Sequence, residues 1–181
     1  MKKSIILFCL LCLPTLLAAQ GRTTKSQSVS LNLLGIHYNY EQPLNEKFTV
    51  NFHAGLAGEL GYSSLKIGSW YEDEGWMYSL RGAVGADFRY YYNLKKREKL
   101  GKSTRSNSGN FWAVDLQYYS PAIIADRMNT DYLILATPYW GIRRVYSNNL
   151  LFEFNLGLNV GRIGSEWGTG LLTNIKFGYS F

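Results

Sequence analysis

The sequence predicts an all-β protein, an antiparallel up-and-down transmembrane β-barrel of about eight strands that follows a cleavable signal peptide. Three observations indicate this fold: apolar and polar residues alternate along most of the chain, the chain ends on an aromatic residue, and a short apolar segment lies at the N-terminus. Alternation gives each strand one apolar and one polar face, because successive Cβ atoms point to opposite sides of the pleat. An apolar outer face and a polar interior are typical of barrels that span a membrane.

The clearest alternation lies between Leu150 and Phe181. One face carries the apolar residues Leu150, Phe152, Phe154, Leu156, Leu158 and Val160, and then Leu171, Ile175, Phe177, Tyr179 and Phe181. The final aromatic residues, spaced by two, resemble the C-terminal signal that the barrel-assembly machinery reads on the last strand of outer-membrane barrels. Phe177, Tyr179 and Phe181 are therefore the predicted assembly signal, and that machinery is an expected partner during biogenesis.

The N-terminus has the features of a secretory signal peptide over residues 1–19. Two lysines precede the apolar run Ile5–Leu17, and small residues follow it at the expected cleavage site. This run is too short for a membrane helix. Residues 20–27 are then predicted as a periplasmic leader, and residues 28–181 as one barrel domain in the outer membrane of a Gram-negative bacterium.

Cysteine and histidine chemistry is not expected. Cys9 and Cys12 both lie in the apolar run, where a redox or metal pair and ordinary filling of the run are alternatives, and we favour the second. Cleavage would leave no cysteine for a disulfide or a thiolate. His37 and His53 lack the spacing of metal ligands, so the sequence predicts no metal and no other cofactor.

The composition agrees with a barrel. Hydrophobic residues make up 46% of the chain although no helical span is present, as expected where half of each strand faces a polar interior. The fourteen tyrosines and five tryptophans suit aromatic belts at the membrane surfaces. The formal net charge of +6 permits nucleic-acid binding, but no basic helical motif supports it. The expected partners are outer-membrane lipid and lipopolysaccharide, and the expected state is a monomer.

The first strand-forming segment is ambiguous. In Ser28–Gln42 the apolar positions change phase at Leu34-Gly35, and a one-residue slip exchanges the faces of a strand. Either a β-bulge in one strand or a tight turn between two strands produces this change, and the second choice supplies the eighth strand. The other strands are predicted at Phe48–Tyr62, Trp76–Tyr92, Phe111–Tyr119 and Asp131–Tyr146, and in the two arms of the final hairpin.

The connections follow from the direction of the last strand, which runs towards the periplasm. Loops at 63–75, 125–130 and 162–168 are then predicted to be extracellular. The basic segment 93–110 is predicted as a solvated periplasmic loop, which is unusually long for that side.

Two loops carry candidate surface contacts. These residues are Trp70, Tyr71, Glu72, Asp73, Glu74 and Trp167. Together they suit a cation, a glycan or a host surface. As an alternative, the tryptophans belong to the interfacial belt and the acids keep the loop solvated, and we favour this structural interpretation.

Charged residues on the polar faces balance in sign. The predicted interior network consists of Glu59, Arg81, Asp87, Arg89, Asp115, Arg143, Glu153 and Lys176. The hairpin geometry predicts the cross-strand pairs Glu59–Arg81, Arg89–Asp115, Arg143–Glu153 and Glu153–Lys176. Such pairs fill a narrow barrel, and pairing is what makes buried charge tolerable. The alternative is a catalytic carboxylate pair or a proton path, which we disfavour.

Several short motifs resemble one family. They are Leu31–Gly35, Tyr40-Glu41, Arg89–Tyr92, Gly109–Trp112, Tyr139–Arg143 and Asn149–Glu153. They are similar to small outer-membrane β-barrel proteins of Bacteroidetes-type bacteria, a family of unknown function. The resemblance implies an outer-membrane barrel whose Asn-Leu-Leu strand comes first, and it carries over no catalytic residue.

The expected function is therefore that of a non-enzymatic outer-membrane barrel with a structural or surface-interaction role. One alternative is an enzyme that acts on lipid A or phospholipid, which would need a Ser-His-acid set at the rim. A narrow, porin-like pore would need a clear axial channel. A soluble ligand-binding barrel of the lipocalin kind would need an apolar interior. No catalytic residue is predicted.

Overall fold

The computed structural model describes residues 23–32, 35–63, 75–128, 130–164 and 166–181. These residues form an antiparallel sheet of nine strands, a short α-helix and a 3-10 helix. Within them, no helix is both long and apolar enough to cross a membrane. The predicted signal peptide and the first part of the leader lie outside the described residues.

Every strand-length segment that the alternation predicts forms a strand. The strands are β1 Ser26–Asn32, β2 Gly35–Pro43, β3 Phe48–Ser63, β4 Gly75–Tyr91, β5 Asn110–Tyr119, β6 Ile124–Asp126, β7 Leu133–Val145, β8 Leu150–Ile163 and β9 Glu166–Ser180. The helices are α1 Leu94–Lys99 and the 3-10 helix Arg105–Asn107. The all-β class and the antiparallel arrangement are thus confirmed.

Eight of the strands close into a ring. The pairs follow the order β1-β2-β3-β4-β5-β7-β8-β9, and β9 returns to β1, where Tyr179 lies opposite Val29. The short strand β6 adds to one end of β4, with Ala125 opposite Ser79. All pairs are antiparallel, so consecutive connections alternate between two ends. We call the end with connections 44–47, 92–109 and 146–149 the lower end, and the other the upper end.

The phase change in 28–42 marks two strands and not one bulged strand. β1 and β2 pair with each other, and Leu31 lies opposite Ile36. Paired residues share a face of the sheet, so the apolar set moves from odd positions in β1 to even positions in β2. Leu33 and Leu34, which connect the strands, lie outside the described residues.

Three predicted loops differ from the structure. Residues 124–126 form β6, because their backbone pairs with the part of β4 that extends beyond β5. The strands β8 and β9 continue through most of 162–168, with Ile163 opposite Glu166. Segment 93–110 is not merely a solvated loop, since it contains α1 and the 3-10 helix.

The lower segment 92–109 packs against the end of the ring. Leu94 and Asn107 are buried despite the basic composition around them. The Asn107 side chain accepts a hydrogen bond from the Thr24 backbone N–H at 2.7 Å and donates one to the Thr24 carbonyl at 2.8 Å. These contacts fix the segment to the chain that leads into β1.

The two faces of the ring have opposite polarity. Each of the eight ring strands exposes apolar side chains outward, among them Leu31, Tyr38, Phe52, Val84, Leu116, Ile134, Leu158 and Phe177. The buried side chains that point inward are mostly polar or charged, among them Ser30, Asn39, Thr49, Asn51, Arg89, Thr137, Arg143 and Asn155. The apolar core that is shielded from both sides is a small cluster near the lower end, formed by Tyr91, Leu94, Phe111, Ala113 and Tyr139.

Candidate functional site

A layer of buried charge crosses the lower half of the interior. Glu153 on β8 lies directly opposite Arg143 on β7 and Lys176 on β9. Its carboxylate is 3.3 Å from Arg143 Nη1, 3.7 Å from Lys176 Nζ and 3.2 Å from Arg89 Nη1. The first two contacts are the pairs that the hairpin geometry predicts. The contact with Arg89 connects β8 to β4 across the interior of the ring.

Glu41 is an additional member of this charge layer. Its Oε2 lies 3.5 Å from Arg143 Nη1 and 3.9 Å from Arg89 Nη1. Its Oε1 accepts hydrogen bonds from Thr49 Oγ1 at 2.6 Å and from Tyr91 Oη at 2.9 Å. Sequence reasoning did not include Glu41. The sequence does contain a signal for it. After the phase change the apolar residues take the even positions of β2, so the odd-numbered Glu41 is expected to point inward.

Aromatic side chains close the interior beneath the charge layer. The ring centroid of Phe111 is 5.1 Å from that of Tyr91 and 5.8 Å from that of Tyr139. The Arg89 guanidinium stacks over Phe111 at 4.7 Å, a favourable cation–π geometry. With Leu94 of α1, these residues fill the lower end of the ring in the described part of the chain.

The predicted pair Arg89–Asp115 is wrong. The β4–β5 register places Arg89 opposite Ala113 and Asp115 opposite Asp87. The guanidinium of Arg89 instead forms an ion pair with Asp87 on its own strand, through Nε and Nη2, in addition to Glu153. The reason is that Arg89 has nearer acids, since Asp87 lies on the same face of β4 and Glu153 reaches the guanidinium from across the ring.

Asp115 has His53 as its partner. The Nε2 atom of His53 lies 2.9 Å from Asp115 Oδ1 and 4.0 Å from Asp87 Oδ2. His53 on β3 reaches Asp115 on β5 across Gly85 of β4, which lies opposite His53. A Cβ at Gly85 would come within 2.6 Å of His53 Cε1, so only glycine leaves room for this imidazole.

The remaining predicted pair, Glu59 with Arg81, lies near the upper end. Arg81 Nε is 3.5 Å from Glu59 Oε2, and that carboxylate oxygen also accepts a hydrogen bond from Ser79 Oγ at 2.6 Å. The Arg81 guanidinium further donates to the carbonyls of Ser120 and Asp131. It thereby ties the connection after β5 to the interior.

Two cavities lie above the charge layer. The inner one has a volume of about 90 Å³, and His37, His53, Asp87, Asp115, Asn155 and Lys176 line it. The second, of about 320 Å³, includes Glu59 and lies towards the upper end. Tyr119, Leu135 and Asn159 line both, so among the described residues the two cavities adjoin each other.

Where the structure describes them, the other residues that the sequence singles out lie away from this interior. Trp70, Tyr71, Glu72, Asp73 and Glu74 are outside the described residues. Trp167 is exposed at the upper end of β9, opposite Arg162. Phe177 and Tyr179 lie on the outer face of β9, opposite Leu31 and Val29, and the Phe181 N–H donates to the Gln27 carbonyl at 2.9 Å.

Comparisons with models of protein families, with curated proteins and with solved structures found no match to this chain. The resemblance to small outer-membrane barrels therefore stays a prediction.

Proposed function

We propose that the protein is an integral outer-membrane β-barrel of a Gram-negative bacterium, with a non-enzymatic structural or surface-interaction role. The observation that carries the proposal is the inverted polarity of the strand ring. Leu116 is 63% exposed and Leu158 59% exposed on the outer face, whereas Arg89 and Glu153 are 1% and 2% exposed in the interior. Soluble monomers rarely expose an apolar surface larger than about 600 Å², but a lipid-facing barrel requires an apolar belt around its circumference.

The interior favours a structural role over conduction. Arg89, Arg143, Glu41 and Glu153 fill the cross-section, and Phe111 lies beneath them with almost no exposed surface. Charges in such a layer stay buried only when they are paired. A narrow ring of eight strands filled in this way suits a stable wall with functional loops better than a pore.

The positions of the histidines favour a non-enzymatic role. An enzyme acting on lipid A or phospholipid needs its nucleophile and base where lipid can reach them. His37 and His53 both line the inner cavity instead, on the side of the strands away from the apolar outer surface. A surface role would rest on the upper connections, where Trp167 is exposed.

The location in the outer membrane rests on two features of the sequence. The N-terminal segment has the features of a signal peptide, and the last strand ends in outward aromatic residues spaced by two. In the ring, β9 pairs with β1 and β8, so this last strand completes the closure. We expect the barrel-assembly machinery to act on it.

The experiment compares the gel mobility of the protein lacking residues 1–19, refolded in detergent, with and without heating. We expect a heat-dependent shift together with β-type circular dichroism, because a closed barrel resists unfolding by the gel detergent at room temperature. A folded monomer that is soluble in plain buffer and shows no shift would contradict the proposal.

A further inference from the structure

Three potential metal ligands converge in the inner cavity. His53 Nε2 and carboxylate oxygens of Asp87 and Asp115 all lie within 4.8 Å of one another. They come from three neighbouring strands, β3, β4 and β5, and Gly85 provides the space in which the imidazole crosses the middle strand. No sequence spacing reveals this group, because its members are brought together only by the register of the sheet.

Asp115 has fewer positively charged neighbours than the other acids of the interior. Among the described residues, the interior acids Glu41, Glu59, Asp87 and Glu153 each lie within 4.0 Å of an arginine or lysine nitrogen. Asp115 is the exception, since its only ionic partner in the described chain is His53. A largely buried carboxylate whose only ionic partner is an imidazole has no permanent cation beside it, so the site favours a bound cation.

The surroundings suit a partly hydrated ion. The inner cavity of about 90 Å³ has room for several waters, each of which needs roughly 10–15 Å³ of such volume. Asn155 lines the same cavity, is 2% exposed, and its Oδ1 has no hydrogen-bond partner among the described residues. An amide oxygen in that position can accept a hydrogen bond from a water on the ion.

We propose that the interior binds one divalent transition-metal ion through His53 Nε2, Asp115 and Asp87. Imidazole and carboxylate ligands at about 2.1 Å suit Zn²⁺, and tetrahedral coordination at that distance separates donor atoms by about 3.4 Å. The observed separations from His53 Nε2, 2.9 Å to Asp115 and 4.0 Å to Asp87, bracket this value.

Outer contacts hold the ligands in place. Asn51 Nδ2 donates to Asp87 Oδ2 at 2.8 Å, and Arg89 holds the same carboxylate. Such outer-shell partners orient carboxylate ligands. Among the described residues, the second cavity adjoins the inner one and shares Tyr119, Leu135 and Asn159 with it. A metal ion bound here would link β3, β4 and β5 on the upper side of the charge layer.

The test measures Zn²⁺ binding to detergent-refolded, chelator-stripped protein by titration calorimetry, with Co²⁺ absorption as a report on coordination. We expect one ion per chain. His53→Gln and Asp115→Asn should each weaken binding more than the roughly 10- to 100-fold that loss of an outer-shell partner causes. His37→Gln is the matched control, because His37 lines the same cavity outside the ligand group.

Circular dichroism and the heat-dependent gel shift verify that each variant is folded. Asp115→Asn preserves the shape of the side chain and removes its charge, so it separates ligand loss from misfolding. Absence of saturable Zn²⁺ binding to the wild-type protein would overturn the proposal. Equal affinity in folded Asp115→Asn, or a loss in His37→Gln as large as in His53→Gln, would do so too.

Discussion

Replacing Glu153 by alanine removes the acid at the centre of the buried charge layer. Glu153 is 2% exposed, and its carboxylate lies within 3.7 Å of nitrogens on Arg89, Arg143 and Lys176. Deleting one partner of a buried ion pair costs about 3–5 kcal/mol, because the other charge stays buried. Asp87 and Glu41 still contact the two arginines, so the lower end of that range, about 3 kcal/mol, is expected.

The matched control is Glu166→Ala, since Glu166 is an exposed acid at the start of β9. Surface substitutions of this kind usually change stability by no more than about 0.5 kcal/mol. Urea unfolding in liposomes or detergent, followed by tryptophan fluorescence, gives the midpoint and slope for each variant. Equal midpoints for the two variants would refute the inward placement of Glu153.

Three further predictions concern other parts of the ring. Gly85→Ala should lower stability by about 1–3 kcal/mol because its Cβ would overlap His53. Gly168→Ala is the control and should have little effect, because a Cβ there meets no described atom within 4 Å. The urea midpoints of the two variants test this difference. Asn107→Ala should cost about 1–3 kcal/mol because it removes two hydrogen bonds to the Thr24 backbone, each of which contributes about 0.5–1.5 kcal/mol. It should also speed proteolysis of residues 23–25 relative to Asn148→Ala. Val84→Arg should destabilise the protein in liposomes by about 2–4 kcal/mol if this outward position faces lipid; an unchanged midpoint would oppose a membrane location.

The strands and their faces could be predicted because they depend on local alternation. Leu158 and Asn159 are consecutive residues of β8, so alternation alone predicts that Leu158 points outward and Asn159 inward. The contact Arg143–Glu153 was predictable for a related reason, since the short connection 146–149 leaves little freedom in the register of β7 and β8.

Contacts that span longer connections were not predictable. The segment 92–109 separates β4 from β5, and its length leaves their register open. The prediction that Arg89 pairs with Asp115 is wrong because Arg89 contacts Asp87 on its own strand and Glu153 across the ring. The His53–Asp115 contact skips a strand, and its formation depends on the absence of a side chain at Gly85. The many basic residues around Leu94 and Asn107 favoured a solvated loop, so the burial of these two residues was not predicted.

The outer apolar face, which we propose to be in contact with lipid, can be probed directly by a single tryptophan placed on it. Phe52 is 53% exposed on β3, so Phe52→Trp, with the five native tryptophans replaced by phenylalanine, reports on that surface alone. In liposomes, the proposed outer-membrane barrel predicts strong quenching of this fluorescence by lipids brominated on their acyl chains and little quenching by aqueous iodide. Strong iodide quenching without an effect of the brominated lipids would contradict a lipid-facing outer surface.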